Sequence, residues 1–327
     1  MKKILLSIIA LCSTMWAGAQ NEILTAVLHH GSDTKSFTGV NAFIQANAAA
    51  DDGDVITLSP GSFNVSDIKK SITVYGAGFE KNDAADTEVT VLSGQLNIGA
   101  SGVGTLTGVH LEGINFNNNI NANVPLEDAV IEKSYVSGYI SFVDNTNTKI
   151  ENCVVKGAIK GGYKSATNCS IKNCYIGGEI MTFAGESSVV IDHCIACNLV
   201  GPYTCTNSIF TYYVSAATKL ATFCNTSGAT VNNSIVRNFE DNNQTSNDFQ
   251  NCYAVDLAEI FTDGIDYGYS AERTFEIKQP ETWTGTDGEA IGIRYGWSKV
   301  PRTPMVKNVT TTVSGENLNV KYDIITR

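Results

Sequence analysis

From Leu111 onward, apolar and polar positions recur as a six-residue phrase spaced about 20 residues apart. Its apolar first position is held by Leu111, Ile131, Ile150, Ile171, Ile191, Cys205, Val231 and Phe249, at intervals of 20, 19, 21, 20, 14, 26 and 18. The irregular pair, 14 and 26, spans two regular units, so the count of units is kept. The second position is polar throughout: Glu112, Glu132, Glu151, Lys172, Asp192, Thr206, Asn232 and Gln250. The third holds Gly113, Lys133, Asn152, Asn173, His193, Asn207, Asn233 and Asn251. Gly, Asn and His accept a left-handed backbone, so this column predicts a tight bend from which only Lys133 departs. The fourth position is mostly small (Ser134, Cys153, Cys174, Cys194, Ser208, Ser234, Cys252), and the sixth is apolar in every unit. Such a period predicts short parallel strands coiling upward, each turn stacked on the last at about 4.8 Å, with positions one and six inward. The Asn column would form a ladder of amide hydrogen bonds between turns.

Upstream, Val40, Phe43, Ile44 and Ala48 are spaced as on a helix, predicted within residues 37–49. Strands are expected at Val55–Ser59, Ser71–Tyr75 and Thr87–Leu92, bounded by Pro60, Gly61 and Gly76. With the repeated Ile-x-Asn-Cys-x-Val/Ile phrase, and the run from Asp52 to Phe63, the chain resembles right-handed parallel β-helix proteins of the pectate-lyase-like group over about residues 37–262. The resemblance implies an all-β, single-stranded right-handed β-helix solenoid with an N-terminal helical cap and a C-terminal extension. It implies little about activity, because enzymes and non-enzymes share this fold. The stretch from Thr282 to Trp297 resembles the closing segment of secreted Bacteroidetes β-helix proteins. Val309–Val313 and Leu318–Asp323 then flank a hairpin turn begun by Ser314. The expected organisation is 1–19 signal peptide, 20–262 β-helix with its cap, and 263–327 C-terminal cap and hairpin tail.

Lys2 and Lys3 precede an apolar run from Ile4 to Cys12, and Ala17, Gly18 and Ala19 form a small-residue cleavage pattern. This predicts export, periplasmic, outer-surface or secreted, with cleavage near Ala19, and resembles a bacterial signal of the Gram-negative type. The run is too short to span a bilayer. Removing Lys2 and Lys3 leaves 33 acids against 20 bases, a net charge of −13. That balance disfavours nucleic acid and anionic membranes as partners.

Of nine cysteines, Cys12 falls in the predicted signal, and the even eight of an exported mature chain would suggest disulfides. The repeat instead assigns Cys153, Cys174, Cys194 and Cys252 to one column of small core residues, so the CxxC of Cys194 and Cys197 needs neither metal nor redox chemistry.

Three constellations remain for function. Glu132, Glu151 and Asp192, with Glu112 and Lys172, form an outward column whose carboxylates are candidate ligands for Ca²⁺ or members of a surface ion-pair ladder. Beyond the sixth position, Tyr139, Ser141, Ala158, Lys160, Glu179, Met181, Tyr213 and Ser215 are expected to face outward. Lys160 with Glu179 is a thin echo of the basic residue beside acids in pectate-lyase-like enzymes, while the Asp cluster and Arg-x-Lys of polygalacturonase-like enzymes are missing from the sequence. The fifth column (Tyr135, Val154, Tyr175, Ile195, Ile209, Ile235, Tyr253) is an apolar stripe between two inward positions. It is either covered by another segment or offers Tyr135, Tyr175 and Tyr253, with Tyr139 and Tyr213 nearby, for stacking on sugars. The reading is an exported β-helix engaging a polysaccharide or a cell-surface protein without a clear catalytic site and with no cofactor beyond Ca²⁺. A polysaccharide lyase or glycosidase, and a structural or adhesive surface protein, are the alternatives.

Overall fold

A computed structural model describes residues 24–81, 88–161, 165–181, 188–201, 203–211, 228–236, 248–264, 268–293, 305–314 and 317–325. The repeat builds a parallel β-solenoid. Positions one and two close the strands of a first sheet, which runs in order from Val55–Leu58 through Thr73–Tyr75, His110–Glu112, Val130–Glu132, Lys149–Glu151, Cys169–Lys172, Val189–Asp192, Thr204–Thr206 and Thr230–Asn232 to Asp248–Gln250. Leu111, Ile131, Ile150, Ile171, Ile191, Cys205, Val231 and Phe249 pair in register from turn to turn, so the units spaced by 14 and 26 residues keep their place. Positions five and six lie in a second sheet. A third, four-stranded sheet holds Leu106–Thr107, Leu126–Glu127, Asn145–Thr146 and Ala166–Thr167.

The bend between the first two sheets follows from its residues. All eight third-position residues, Lys133 included, have φ between 45° and 72°. Asn173 Nδ2 donates to Asn152 Oδ1 at 2.6 Å, one rung of the expected ladder. The fourth position is small and also a donor. Ser134, Ser208 and Ser234 Oγ donate to the position-two carbonyls of Glu132, Thr206 and Asn232. Cys153, Cys174, Cys194 and Cys252 Sγ do the same to Glu151, Lys172, Asp192 and Gln250. The same carbonyls also accept a backbone N–H from a bend residue of the neighbouring turn, so the fourth-position donor adds a second bond at the bend. Ser and Cys are small donors that fit there, while Ile114 fills the position in the first unit without one. The thiols of Cys153, Cys174 and Cys194 are fully buried and free, and Cys197, beside them in sequence, is partly exposed and free as well.

A second left-handed column lies three residues before position one, at Gly108, Asp128, Asn147, Asn168 and Gly228. Asn147 Nδ2 donates to Asp128 Oδ1 and Asn168 Nδ2 to Asn147 Oδ1, forming a second amide ladder that the sequence reading does not include.

The core is filled by positions one and six and by inward residues of the other strands, among them Phe63, Ile120, Ile140, Ile159, Ile180 and Leu199. Its N-terminal end is closed by an unanticipated antiparallel hairpin, Thr25–His30 with Asp33–Thr38, and by helix α1 (Ala42–Ala49). Helix α1 buries Ala42, Phe43 and Ala46, so its inner face differs from the expected one, and Val40 lies outside the helix and exposed. The hairpin's outer strand, DTKSFT, is mostly exposed and ends the first sheet with polar residues, which blunts the edge against pairing with another chain. His29 and His30, without role in the sequence reading, sit on its inner strand, and His30 Nδ1 lies 2.8 Å from Asp54 Oδ1. Near the C-terminus, Met305–Ser314 and Asn317–Ile325 form the expected antiparallel hairpin. Among the described residues no helix is long and apolar enough to cross a membrane.

Candidate functional site

The apolar stripe of position five is covered. Phe261, Phe275, Ile277, Trp283, Ile291 and Ile293 pack onto Val154, Tyr175, Ile195, Ile209 and Ile235 in a second apolar cluster outside the coil. Tyr269 reaches both Tyr135 and Tyr175, with ring centroids 6.1 and 5.8 Å apart, and Phe275 lies 5.3 Å from Tyr175. Polar contacts fasten this strap to the bend column. His193 Nδ1 faces the Gly292 carbonyl at 2.9 Å and its Nε2 faces Asp287 Oδ2 at 3.1 Å. Asn207 Nδ2 donates to Thr286 Oγ1, and Asn233 Nδ2 donates to the Thr284 carbonyl. At the other end, the Tyr269 hydroxyl donates to Glu80. Burial and the Glu80 carboxylate both push the Tyr269 hydroxyl pKa upward, and burial raises that of Tyr135. Tyr175 is therefore an internal residue, 7 % exposed, whose ring packs against Tyr269 and Phe275. Tyr135 and Tyr253 remain half-buried at the margin of the same cluster.

On the far part of the second sheet the outward residues are uncovered by any described apolar segment. Asn97, Asn121, Ser141, Lys160 and Met181 pair in register on successive turns. Asn119, Tyr139, Ala158 and Glu179 flank them across the inward Ile120, Ile140, Ile159 and Ile180, as the period-two alternation expects. Asn97 Nδ2 donates to Asp67 Oδ1, and Asn121 Nδ2 reaches Asn97 Oδ1 at 3.5 Å. Lys160 Nζ lies 4.0 Å from the centre of the Tyr139 ring. Among the described residues no ion pair joins Lys160 to Glu179, so the echo of a lyase pair has no contact behind it. Tyr213 and Ser215 lie outside the described residues.

The carboxylate column divides. Glu132, Glu151, Lys172 and Asp192 stand in register on four successive strands, which puts Glu132 about 14 Å from Asp192 at the usual strand spacing. One ion cannot bind Glu132, Glu151 and Asp192 together. Glu151 is paired in register with Lys172, and Asp192 Oδ1 accepts from Thr206 Oγ1 and Asn207 Nδ2, both at 2.9 Å. Glu132 belongs to a different group. His110 and Glu112 project from one face of their strand, and Glu132 faces Glu112 on the next. His110 Nε2 is 3.1 Å from Glu132 Oε1 and 3.6 Å from Glu112 Oε2, and Lys133 Nζ is 3.3 Å from Glu112 Oε1. Glu112 is 1 % and Glu132 5 % exposed, although outward on the strand. The edge of the Tyr75 ring meets the imidazole with centroids 5.4 Å apart. The sequence carried two signals for this group: His110 stands two residues before Glu112, and Lys133 breaks the bend column.

The chain matches no protein-family model, no curated protein and no solved structure in the three comparisons made. The parallel solenoid is accordingly what the resemblance to β-helix proteins rests on.

Proposed function

We propose that this chain is an exported β-helix protein that holds an extended, neutral polysaccharide against the outer face of its second sheet without cleaving it. The observation that carries the reading is the half-exposed row running from the Asp67–Asn97–Asn121 amide contacts to Ser141 and the Lys160–Tyr139 pair. Amides, a hydroxyl and an aromatic ring spaced at the strand repeat suit the hydroxyls and apolar ring faces of successive sugars. The mature net charge, 33 acids against 20 bases once Lys2 and Lys3 are removed, argues for a neutral polymer over an acidic one. Lysis or hydrolysis would need a carboxylate acting with a second acid or base at the scissile bond. On this face Lys160 stacks on Tyr139 instead of meeting Glu179.

A polysaccharide panel tests it, with retention in affinity gels and assays for reducing ends and unsaturated products on the same samples. Retention of a neutral polymer, lost on Tyr139→Ala with Asn121→Ala and unaccompanied by product, is the expected result. Turnover of any polymer removes the non-catalytic claim. Absence of retention across the panel removes the glycan. A purely structural or adhesive role is the second reading, favoured by the strap, which closes the apolar stripe of position five.

A further inference from the structure

We infer that His110, Glu112 and Glu132 bind one divalent transition-metal ion of the zinc class. The site is made by strand geometry. Residues two apart on a strand share a face, and parallel register sets Glu132 beside Glu112. The three donor atoms lie within 4.8 Å of one another. Ligand bonds of about 2.0–2.2 Å in a tetrahedral shell place neighbouring donors roughly 3.3–3.6 Å apart. The imidazole nitrogen stands at 3.1 and 3.6 Å from the two carboxylates, just below that span and at its upper end. The longer separation exceeds a good hydrogen bond but suits two ligands of one ion.

Charge points the same way. Two carboxylates facing each other in register repel, the more so at 1 % and 5 % exposure. Lys133 balances one of them through Glu112 Oε1, leaving Oε2 on the His110 side. A divalent ion held between the two carboxylates would offset their mutual repulsion, with the imidazole as its third ligand. One imidazole with two carboxylates favours zinc or its transition-metal neighbours, whereas Ca²⁺ takes six to eight oxygens. The imidazole is 22 % exposed, which gives an entry path and room for a water in the fourth position. The competing arrangement is a metal-free ion quartet in which a protonated His110 supplies the second positive charge.

Metal-stripped mature protein, titrated calorimetrically with Zn²⁺ and then Ca²⁺ and followed by visible absorption with Co²⁺, separates the two. One equivalent of Zn²⁺ should bind, with tetrahedral Co²⁺ bands that lack thiolate charge transfer. His110→Ala and Glu132→Gln should each weaken binding at least ~10-fold, while Cys197→Ser and His29→Ala leave it unchanged. Absence of stoichiometric Zn²⁺ uptake by the wild-type chain overturns the inference in favour of the quartet. So does a thiolate signature, or affinity unchanged in both ligand variants. If His110→Ala does not fold, Glu132→Gln and the Co²⁺ spectrum decide.

Discussion

The rings of Tyr175 and Phe275 lie 5.3 Å apart although a hundred residues of chain separate them. This contact joins the coil to its strap. Truncating either ring removes a buried aromatic at the middle of the second cluster, a loss of about 3–5 kcal/mol for such residues. Tyr175→Ala and Phe275→Ala should each lower the urea midpoint. Trp283, buried in the same cluster, should report exposure of the strap by a red shift in fluorescence. Loss of stability without any change at Trp283 would mean that the strap is held by its polar contacts alone.

Lys133 combines a left-handed backbone with a buried ion pair to Glu112. Lys133→Met leaves Glu112 facing Glu132 and His110 without the ammonium, and in metal-free buffer should cost about 3–5 kcal/mol. Lys133→Gly loses the same charge but relieves about 1–2 kcal/mol of left-handed strain. Denaturation in urea should therefore rank wild type above Lys133→Gly and Lys133→Gly above Lys133→Met. The reverse order of the two variants would show that the side-chain stem matters more than the backbone.

Bend residues give a cleaner measure of the same strain. Asn173→Ala should cost about 1–2 kcal/mol more than Asn173→Gly, since both lose the amide rung to Asn152 and only Ala resists the left-handed conformation. Equal costs would place the stabilisation in the rung.

Burial raises the thiol pKa of Cys169, Cys174, Cys197, Cys205 and Cys252. The thiolate is the reactive form, so at pH 8 these groups should label slowly in the native protein and promptly in denaturant. A thiol-exchange reagent with a coloured leaving group makes the comparison. Rapid native labelling of Cys174 would contradict its place in the column.

The Arg273 guanidinium, 2.7 Å from Asp263 Oδ1, holds the Asp263 carboxyl below the usual carboxylate range. A carboxyl more acidic in the folded chain adds stability that is fully present above the unfolded pKa and fades as pH falls through the folded value. Hydrogen exchange in residues 260–264 and 268–277 should thus quicken as pH drops below about 4, after correction for intrinsic rates. Asp263→Asn should remove that dependence, and a profile unchanged by the substitution would assign it to other carboxyls.

Much of the coil was legible because its physics is local and repeated. A bend that must be left-handed selects Asn, Gly and His, and a core that stacks like on like selects the same apolar class at each turn. Cys205 fell into place by period despite its irregular spacing. The second amide ladder carries the same 20-residue spacing in Gly108, Asp128, Asn147 and Asn168, but Ser188 interrupts it and it lies outside the six-residue phrase. The inner face of α1 was misjudged because Ala and Asn, and not the larger Val40, fill the narrow space over the first turns. Which carboxylates are buried was not legible, because Glu112, Glu151 and Asp192 occupy one column and differ only in what neighbours them. His110 gained meaning through a partner on the next turn, a relation visible only once strands are set in register.

The strap also measures the coil. Each turn bonds to the next by the same rungs and register, so a turn is a repeating cassette, and its own chemistry sets no limit on how many may be stacked. The strap, however, is fastened by Tyr269 to Glu80 near one end and by Thr284 to Asn233 near the other. Deleting one cassette would bring those anchorages closer by about 4.8 Å and leave the strap out of step with the stripe. Its fixed length therefore acts as a gauge of turn number, allowing sequence to drift within a cassette while resisting the gain or loss of a whole one.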